Sequence, residues 1–153
     1  MPNYSLAWEN LGVLYFFKSD LLTALSCENM ALLKDSTNAK AYFDKGMIFD
    51  VTKYYGTSEK YYLKSLKYDP KFILCYLKLI NIYNHQGKTE KAFNAGEKGA
   101  VYEKKSDQIY SQLIEIALQH KDTLRAIGYM EKAVIINSAK WSGTLQYYRS
   151  FKK

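Results

Sequence analysis

The 153-residue chain repeats itself every 34 positions. Trp8, Tyr42, Tyr76 and Tyr110 stand 34 residues apart, as do the small residues Ala24, Ser58, Ala92 and Ala126. A second small column holds Ala31, Ser65, Gly99 and Ala133. Leu11, Leu79 and Leu113 share a column that Lys45 interrupts; Tyr15, Phe49 and Tyr83 share one that shrinks to Ala117. Gly12 and Gly46 occupy a column that becomes Ile80 and Ile114. Four copies run over 5–38, 39–72, 73–106 and 107–140 without insertion or deletion. Several columns in one register, each with its own size class, mark an architecture whose single unit cannot bury its apolar face alone, so that neighbours must stack.

Inside each copy the apolar residues recur at spacings of three and four, as in Leu124, Ile127, Met130 and Val134, which is the period of a helix rather than a strand. Asp20 and Asp122 precede apolar runs as N-caps, and Asn38 and Ser106 do the same at the joints between copies, because each offers a side-chain acceptor to free backbone N–H groups. Gly87 breaks the third copy where Asp20 and Asp122 break theirs, and Pro70 suits the first turn of the helix after Asp69. The spacing predicts helices over 5–18, 21–34, 39–52, 55–68, 71–85, 89–102, 107–120 and 123–136, with a ninth over about 140–151. The fifteen tyrosines are absorbed by this scheme as packing between helices.

The segment Trp8-Glu-Asn-Leu11-Gly12-Val-Leu-Tyr15 matches W-x₂-L-G-x₂-Y, and with Ala24, Ala31 and the 34-residue period it resembles the tetratricopeptide repeat family over residues 5–140. Glu28 and Gly96 depart from it, standing where the family has a bulky residue, whereas Tyr62 and Met130 fit. The resemblance implies an all-α, right-handed superhelical solenoid of four antiparallel helix hairpins plus a capping helix over 141–153, all in one domain spanning 1–153. It also implies a non-enzymatic scaffold or adaptor, with a concave groove lined by the first helix of each hairpin and holding a peptide or helix of a partner. Carried over position by position, the groove residues are Val13, Phe16 and Phe17 in the first copy and Phe43, Met47 and Asp50 in the second. Leu77, Asn81 and Asn84 follow in the third, and Ser111 and Glu115 in the fourth. The first half of this face is apolar and the second polar; the alternative is that Phe16, Phe17 and Met47 are tucked between helices. Some relatives clamp acidic chaperone tails with cationic and amide side chains. Here the matching positions are Glu9, Val13, Asp44, Leu74 and Lys78, or one copy later Phe43, Met47, Lys78, Gln108 and Gln112, so no such clamp is expected.

Motifs for chemistry are missing. Gly87-Lys88-Thr89 has Ile82 where a phosphate loop needs glycine, and His85 and His120 stand without ligand spacing, so neither cofactor nor metal is expected. Cys27 and Cys75 form no pair motif and read as inert packing thiols in a reducing, cytoplasmic setting. The opening residues lack a basic segment and reach Glu9 early, so no signal peptide is expected, which also makes the glycosylation pattern at Asn3 accidental; no stretch is long and apolar enough to span a membrane.

The charge of +7 runs from −2 in the first copy to +3 in the second and third and +3 after residue 140. Lys60, Lys64 and Lys67, then Lys88, Lys91, Lys98, Lys104 and Lys105, fall mainly on second helices and joints. That leaves a second reading, a basic convex face for nucleic acid or anionic surfaces, against which the 34-residue period counts, since RNA-reading helical repeats use 35. At the ends, Trp141, Leu145 and Tyr148 form the apolar stripe of a cap with Arg149, Lys152 and Lys153 beyond it, whereas the first helix is apolar nearly all round. The latter predicts cover from outside this fold: a second copy in a homodimer, an upstream repeat, or the partner.

Overall fold

The computed structural model describes residues 4–150, so Asn3, Lys152 and Lys153 lie outside the described residues. Among the described residues there are nine α-helices and no strand. They are α1 (Tyr4–Phe17), α2 (Leu21–Lys34), α3 (Ala39–Val51), α4 (Tyr55–Tyr68), α5 (Ile73–His85), α6 (Thr89–Tyr102), α7 (Asp107–Gln119), α8 (Thr123–Ile136) and α9 (Ser138–Ser150). Two compact units result, the first ending at Cys75 and the second beginning at Tyr76.

The repeat holds down to single backbone torsions. Ser19, Lys53, Gly87 and Lys121, each 34 residues from the next, all take φ between 57° and 67°, the left-handed region that ends a helix and turns the chain. The amides after them, of Asp20, Tyr54, Lys88 and Asp122, each donate to the carbonyl five residues back, at 2.8–3.0 Å. Only Gly87 adopts this conformation without steric cost. All four expected caps are formed: Asp20 accepts from the Thr23 amide at 3.1 Å, Asn38 from Ala41 at 2.9 Å, Ser106 from Ile109 at 3.4 Å and Asp122 from Arg125 at 3.0 Å. Pro70 departs from expectation. It precedes α5 rather than opening it, because Asp69 Oδ1 accepts from the Lys71 amide at 3.0 Å and holds a turn there, as Asp35 does for Thr37 one copy earlier.

In the first unit α1 packs on α2, α3 on α4, and α2 on α3. The small residues of the repeat columns lie at these contacts, with Ala24, Ala31, Ser58 and Ser65 fully buried. The two serines donate to carbonyls of the facing helix, Ser58 to Gly46 at 2.8 Å and Ser65 to Ala39 at 2.7 Å. Gly46 is needed for close approach: a Cβ there would meet the Tyr62 ring at 2.5 Å. In the second unit α7 packs on α8, α6 on α7, and α8 on α9. Its core buries the aliphatic Leu79, Ile80, Ile82, Ile109, Leu113, Ile114, Ile116 and Met130 together with the aromatic Tyr76, Tyr83, Phe93, Tyr110 and Tyr129. Tyrosines pair across hairpins at matching places: Tyr42 stacks on Tyr68 at 5.5 Å and Tyr76 on Tyr102 at 6.1 Å.

The two chain ends differ. Leu145 buries the α9 stripe while Trp141 Nε1 and Lys140 Nζ donate to the Asp107 carboxylate, both at 2.8 Å, and those two hydrogen bonds hold the Asp107 pKa below its ordinary value. Helix α1 is not buried all round. Tyr4, Leu6, Leu11 and Leu14 are 37–59% exposed, because its neighbours α2 and α3 cover only part of its circumference.

Candidate peptide-binding cleft

In the first unit α1 and α3 leave a cleft of about 310 Å³. Val13, Phe16 and Phe17 come from α1 and Phe43, Met47 and Ile48 from α3, at the three- and four-residue spacing that keeps side chains on one helix face. Phe72, just before α5, and Leu74, in its first turn, close it. Phe43 is 5% exposed, its ring 4.8 Å from that of Phe72 and 5.5 Å from that of Tyr62, so it is at once a wall of the cleft and part of the core. Phe17 is 77% exposed, and its ring meets Phe16 edge-on at 5.9 Å. An aromatic so exposed is not tucked between helices.

The base of the cleft is polar and ionisable. Lys40 Nζ lies 2.8 Å from Asp44 Oδ2 and 3.1 Å from Glu9 Oε1. Asn38 Nδ2 donates to the other Glu9 oxygen at 3.2 Å and to Ser5 Oγ at 3.0 Å. Lys45, also buried, donates to Asn29 Oδ1 at 2.7 Å and stands 4.6 Å from the centre of the Tyr61 ring. Glu28, from α2, lines the same cleft against Gly12, where a Cβ would overlap its carboxyl. It is 1% exposed, and among the described residues neither of its oxygens has a hydrogen-bond partner. Burial pushes its pKa from 4.5 up to about 9, with the charges of Asp44 and Glu9 acting in the same direction, so the carboxyl holds its proton at neutral pH. Burial also raises the Asp44 pKa, though the Lys40 hydrogen bond opposes it. Burial works against the charge of Lys40, but its bonds to Asp44 and Glu9 prevail and raise its pKa.

Five of the expected groove residues, Val13, Phe16, Phe17, Phe43 and Met47, thus meet in one cleft. Asp50 is half-buried on the last turn of α3 and outside that lining. The remaining five are in the second unit. There Leu77 is buried and Asn81 exposed, while Asn84 Nδ2 donates to Gln119 Oε1 at 3.3 Å and Gln119 Nε2 to Glu115 Oε1 at 3.4 Å. Ser111 Oγ donates to the Asp107 carbonyl at 2.7 Å and accepts from Lys140 at 2.9 Å. Glu28 and Asp44 were absent from the expected lining. The available signal was Glu28 in a column otherwise holding Tyr62, Gly96 and Met130, which reads as loose packing until the carboxyl is seen beneath the cleft.

Among the described residues no group of three His, Cys, Asp or Glu could hold a metal ion. Burial pushes the Cys75 thiol up to about 12 and raises that of Cys27, which makes both poor nucleophiles. No described helix is long and apolar enough to cross a membrane. A wider depression of about 540 Å³ in the second unit has exposed Val101 and Ile135 in its walls, with Lys104, Lys105 and Lys132 beside them.

No family model and no curated protein matches the chain. Solved structures do. The Pseudomonas aeruginosa pilF structure aligns at a TM-score of 0.73 and 20% identity over 89% of this chain, which spans 62% of that one. YrrB, described as a TPR protein with an unusual peptide-binding site, aligns at 0.72 and 15% identity over 95% of this chain and 76% of its own. The first TPR of Spaghetti (RPAP3), bound to the HSP90 peptide SRMEEVD, aligns at 0.70 and 15% identity over 76% of this chain and 95% of its own. With the signature at Trp8, Leu11, Gly12 and Tyr15 and a 34-residue register kept in the backbone torsions, the chain has the all-α helical-repeat fold of these tetratricopeptide-repeat structures.

Proposed function

We propose that the protein is a non-catalytic interaction scaffold that holds a peptide or helix of a partner protein in the cleft between α1 and α3. The observation that carries this reading is the cleft itself, which gathers Val13, Phe16, Phe17, Phe43 and Met47 while leaving Phe17 77% exposed. Apolar side chains are kept in water where a partner will cover them, and Phe and Met adapt to varied apolar surfaces. YrrB and the RPAP3 repeat, which share the fold, have a peptide-binding site and a bound peptide respectively. An acidic tail such as that of the RPAP3 ligand is the wrong complement here, because Glu9, Glu28 and Asp44 underlie the cleft. The polar residues Asn81, Asn84, Ser111 and Glu115 extend the proposed surface with backbone-binding groups, beside Leu77 and Asp50. The cytoplasmic assignment rests on two free, buried thiols.

Selection from a displayed random-peptide library tests the reading. The intact chain should enrich peptides that the double variant Phe17→Ser, Met47→Ser fails to hold, while both give the same helical circular dichroism spectrum. Equal enrichment by both would remove the cleft from the account. The basic-face alternative gains less, since Lys64 and Lys67 lie 5.5–5.8 Å above the centres of the Tyr42, Tyr61 and Tyr68 rings, occupying faces on which bases would stack. Labelled RNA and DNA oligonucleotides bound with a steep salt dependence would favour it instead. The exposed apolar residues of α1 support the homodimer. Sedimentation should show a concentration-dependent dimer, and a monomer at every concentration would exclude it.

A further inference from the structure

We propose that Glu28 is an anchor for an arginine side chain of the bound peptide, whose aliphatic stem lies along Phe16, Phe43 and Met47 and whose guanidinium meets the Glu28 carboxyl. This rests on the peptide-binding reading of the cleft and names what the cleft selects. A buried carboxyl normally has a partner, because a desolvated acceptor without one costs free energy. Glu9 and Asp44 have Lys40 and Asn38. The two ammonium groups nearest Glu28 are already engaged, Lys40 with Glu9 and Asp44, Lys45 with Asn29 and the Tyr61 ring. Two carboxyls therefore share Lys40, Lys45 is taken by an amide and a ring, and Glu28 is left over, both oxygens unmet among the described residues. Both oxygens are shut off from solvent and Oε1 packs against Gly12, so the guanidinium meets the carboxyl as the Glu28 side chain turns toward the cleft, where one fork satisfies both oxygens with two parallel hydrogen bonds. The approach is shaped for it as well: the cleft wall is aromatic and aliphatic, which takes a long apolar stem, and among the described residues the ionisable side chains lining it are Lys40, Asp44 and Glu28. As the guanidinium arrives, the carboxyl gives its proton to solvent and becomes the charged half of the pair, so that an uncharged group awaits the ligand and a charged one holds it.

The full chain, labelled with ¹³C, is titrated with N-acetyl-arginine methylamide, with the neutral isostere N-acetyl-citrulline methylamide, and with N-acetyl-leucine methylamide. Arginine should move the Glu28 carboxyl resonance to its ionised position and shift Phe16, Phe43 and Met47. The citrulline compound should bind roughly tenfold or more weakly, the scale of a charge-assisted hydrogen bond. Glu28→Gln should abolish that discrimination; if this variant fails to fold, the comparison on the unaltered chain decides alone. A leucine compound that shifts the cleft residues while arginine leaves Glu28 unchanged, or arginine and citrulline acting alike, would overturn the anchor and leave the cleft standing. Three compounds that all leave the cleft unperturbed would overturn both.

Discussion

The two units are built on one 34-residue plan, yet they fill it differently. Among the described residues every buried acidic or basic side chain, Glu9, Glu28, Asp44 and Lys45, belongs to the first unit, and the second buries only Ser106 among its polar residues. The contrast is sharpest in one pair of columns. Gly12 and Glu28, Gly46 and Tyr62, Ile80 and Gly96, Ile114 and Met130 occupy equivalent positions. In the second copy the glycine admits a tyrosine ring; in the third, the Gly96 site is filled by Leu113 from α7; in the first, the glycine admits a carboxyl. A repeat that could have been closed with a methionine, as the fourth is, holds instead a buried acid without a partner. Such a group does not add stability. Local rules broken at a packing position point to function, which is where proteins concede stability.

Weakening the second unit should have the largest effect. Leu113 is fully buried against Gly96, and Leu113→Ala should cost about 2–5 kcal/mol in denaturant unfolding. A cost below about 1 kcal/mol would mean that this core is looser than its burial implies. In the first unit the sign should reverse: Glu28→Met, which copies the fourth repeat, should stabilise the chain by about 1–4 kcal/mol near pH 8. The gain should depend on pH. Because the folded-state pKa lies above the unfolded one, the folded chain keeps a proton that the unfolded chain releases. Stability is then full below about pH 4.5 and falls as pH rises toward about 9. Glu28→Gln should flatten that slope, and an unchanged slope would assign it to another group. The smallest expected effects are in the turns. Ser19→Gly, Lys53→Gly and Lys121→Gly relieve left-handed strain and should each stabilise by about 0.5–1 kcal/mol, with no comparable change available at Gly87. Thermal melts would check the series.

Much of the fold was legible because the repeat reports the same fact four times. Cap residues, the turn at Gly87 and the small columns each gave a boundary, and the helices fall within two residues of expectation. The shift at α5 came from Asp69, whose side chain competes for the Lys71 amide and delays the helix. The apolar half of the cleft was legible through helical spacing. Its acidic base was not, because periodicity sorts residues by polarity and sends a charge to the surface; only the packing of Glu28 against Gly12 reveals a buried one. Phe43 shows the reverse ambiguity, since spacing cannot separate a cleft wall from a core residue that is both.

The claim that the first unit retains an acid without a partner beneath its cleft is tested most directly by the titration of Glu28 itself. In the folded chain, followed by the carboxyl ¹³C resonance and assigned by its loss in Glu28→Gln, the midpoint should lie near 9. A midpoint at the ordinary value of about 4.5 would mean that the carboxyl is solvated or paired, and would contradict the account.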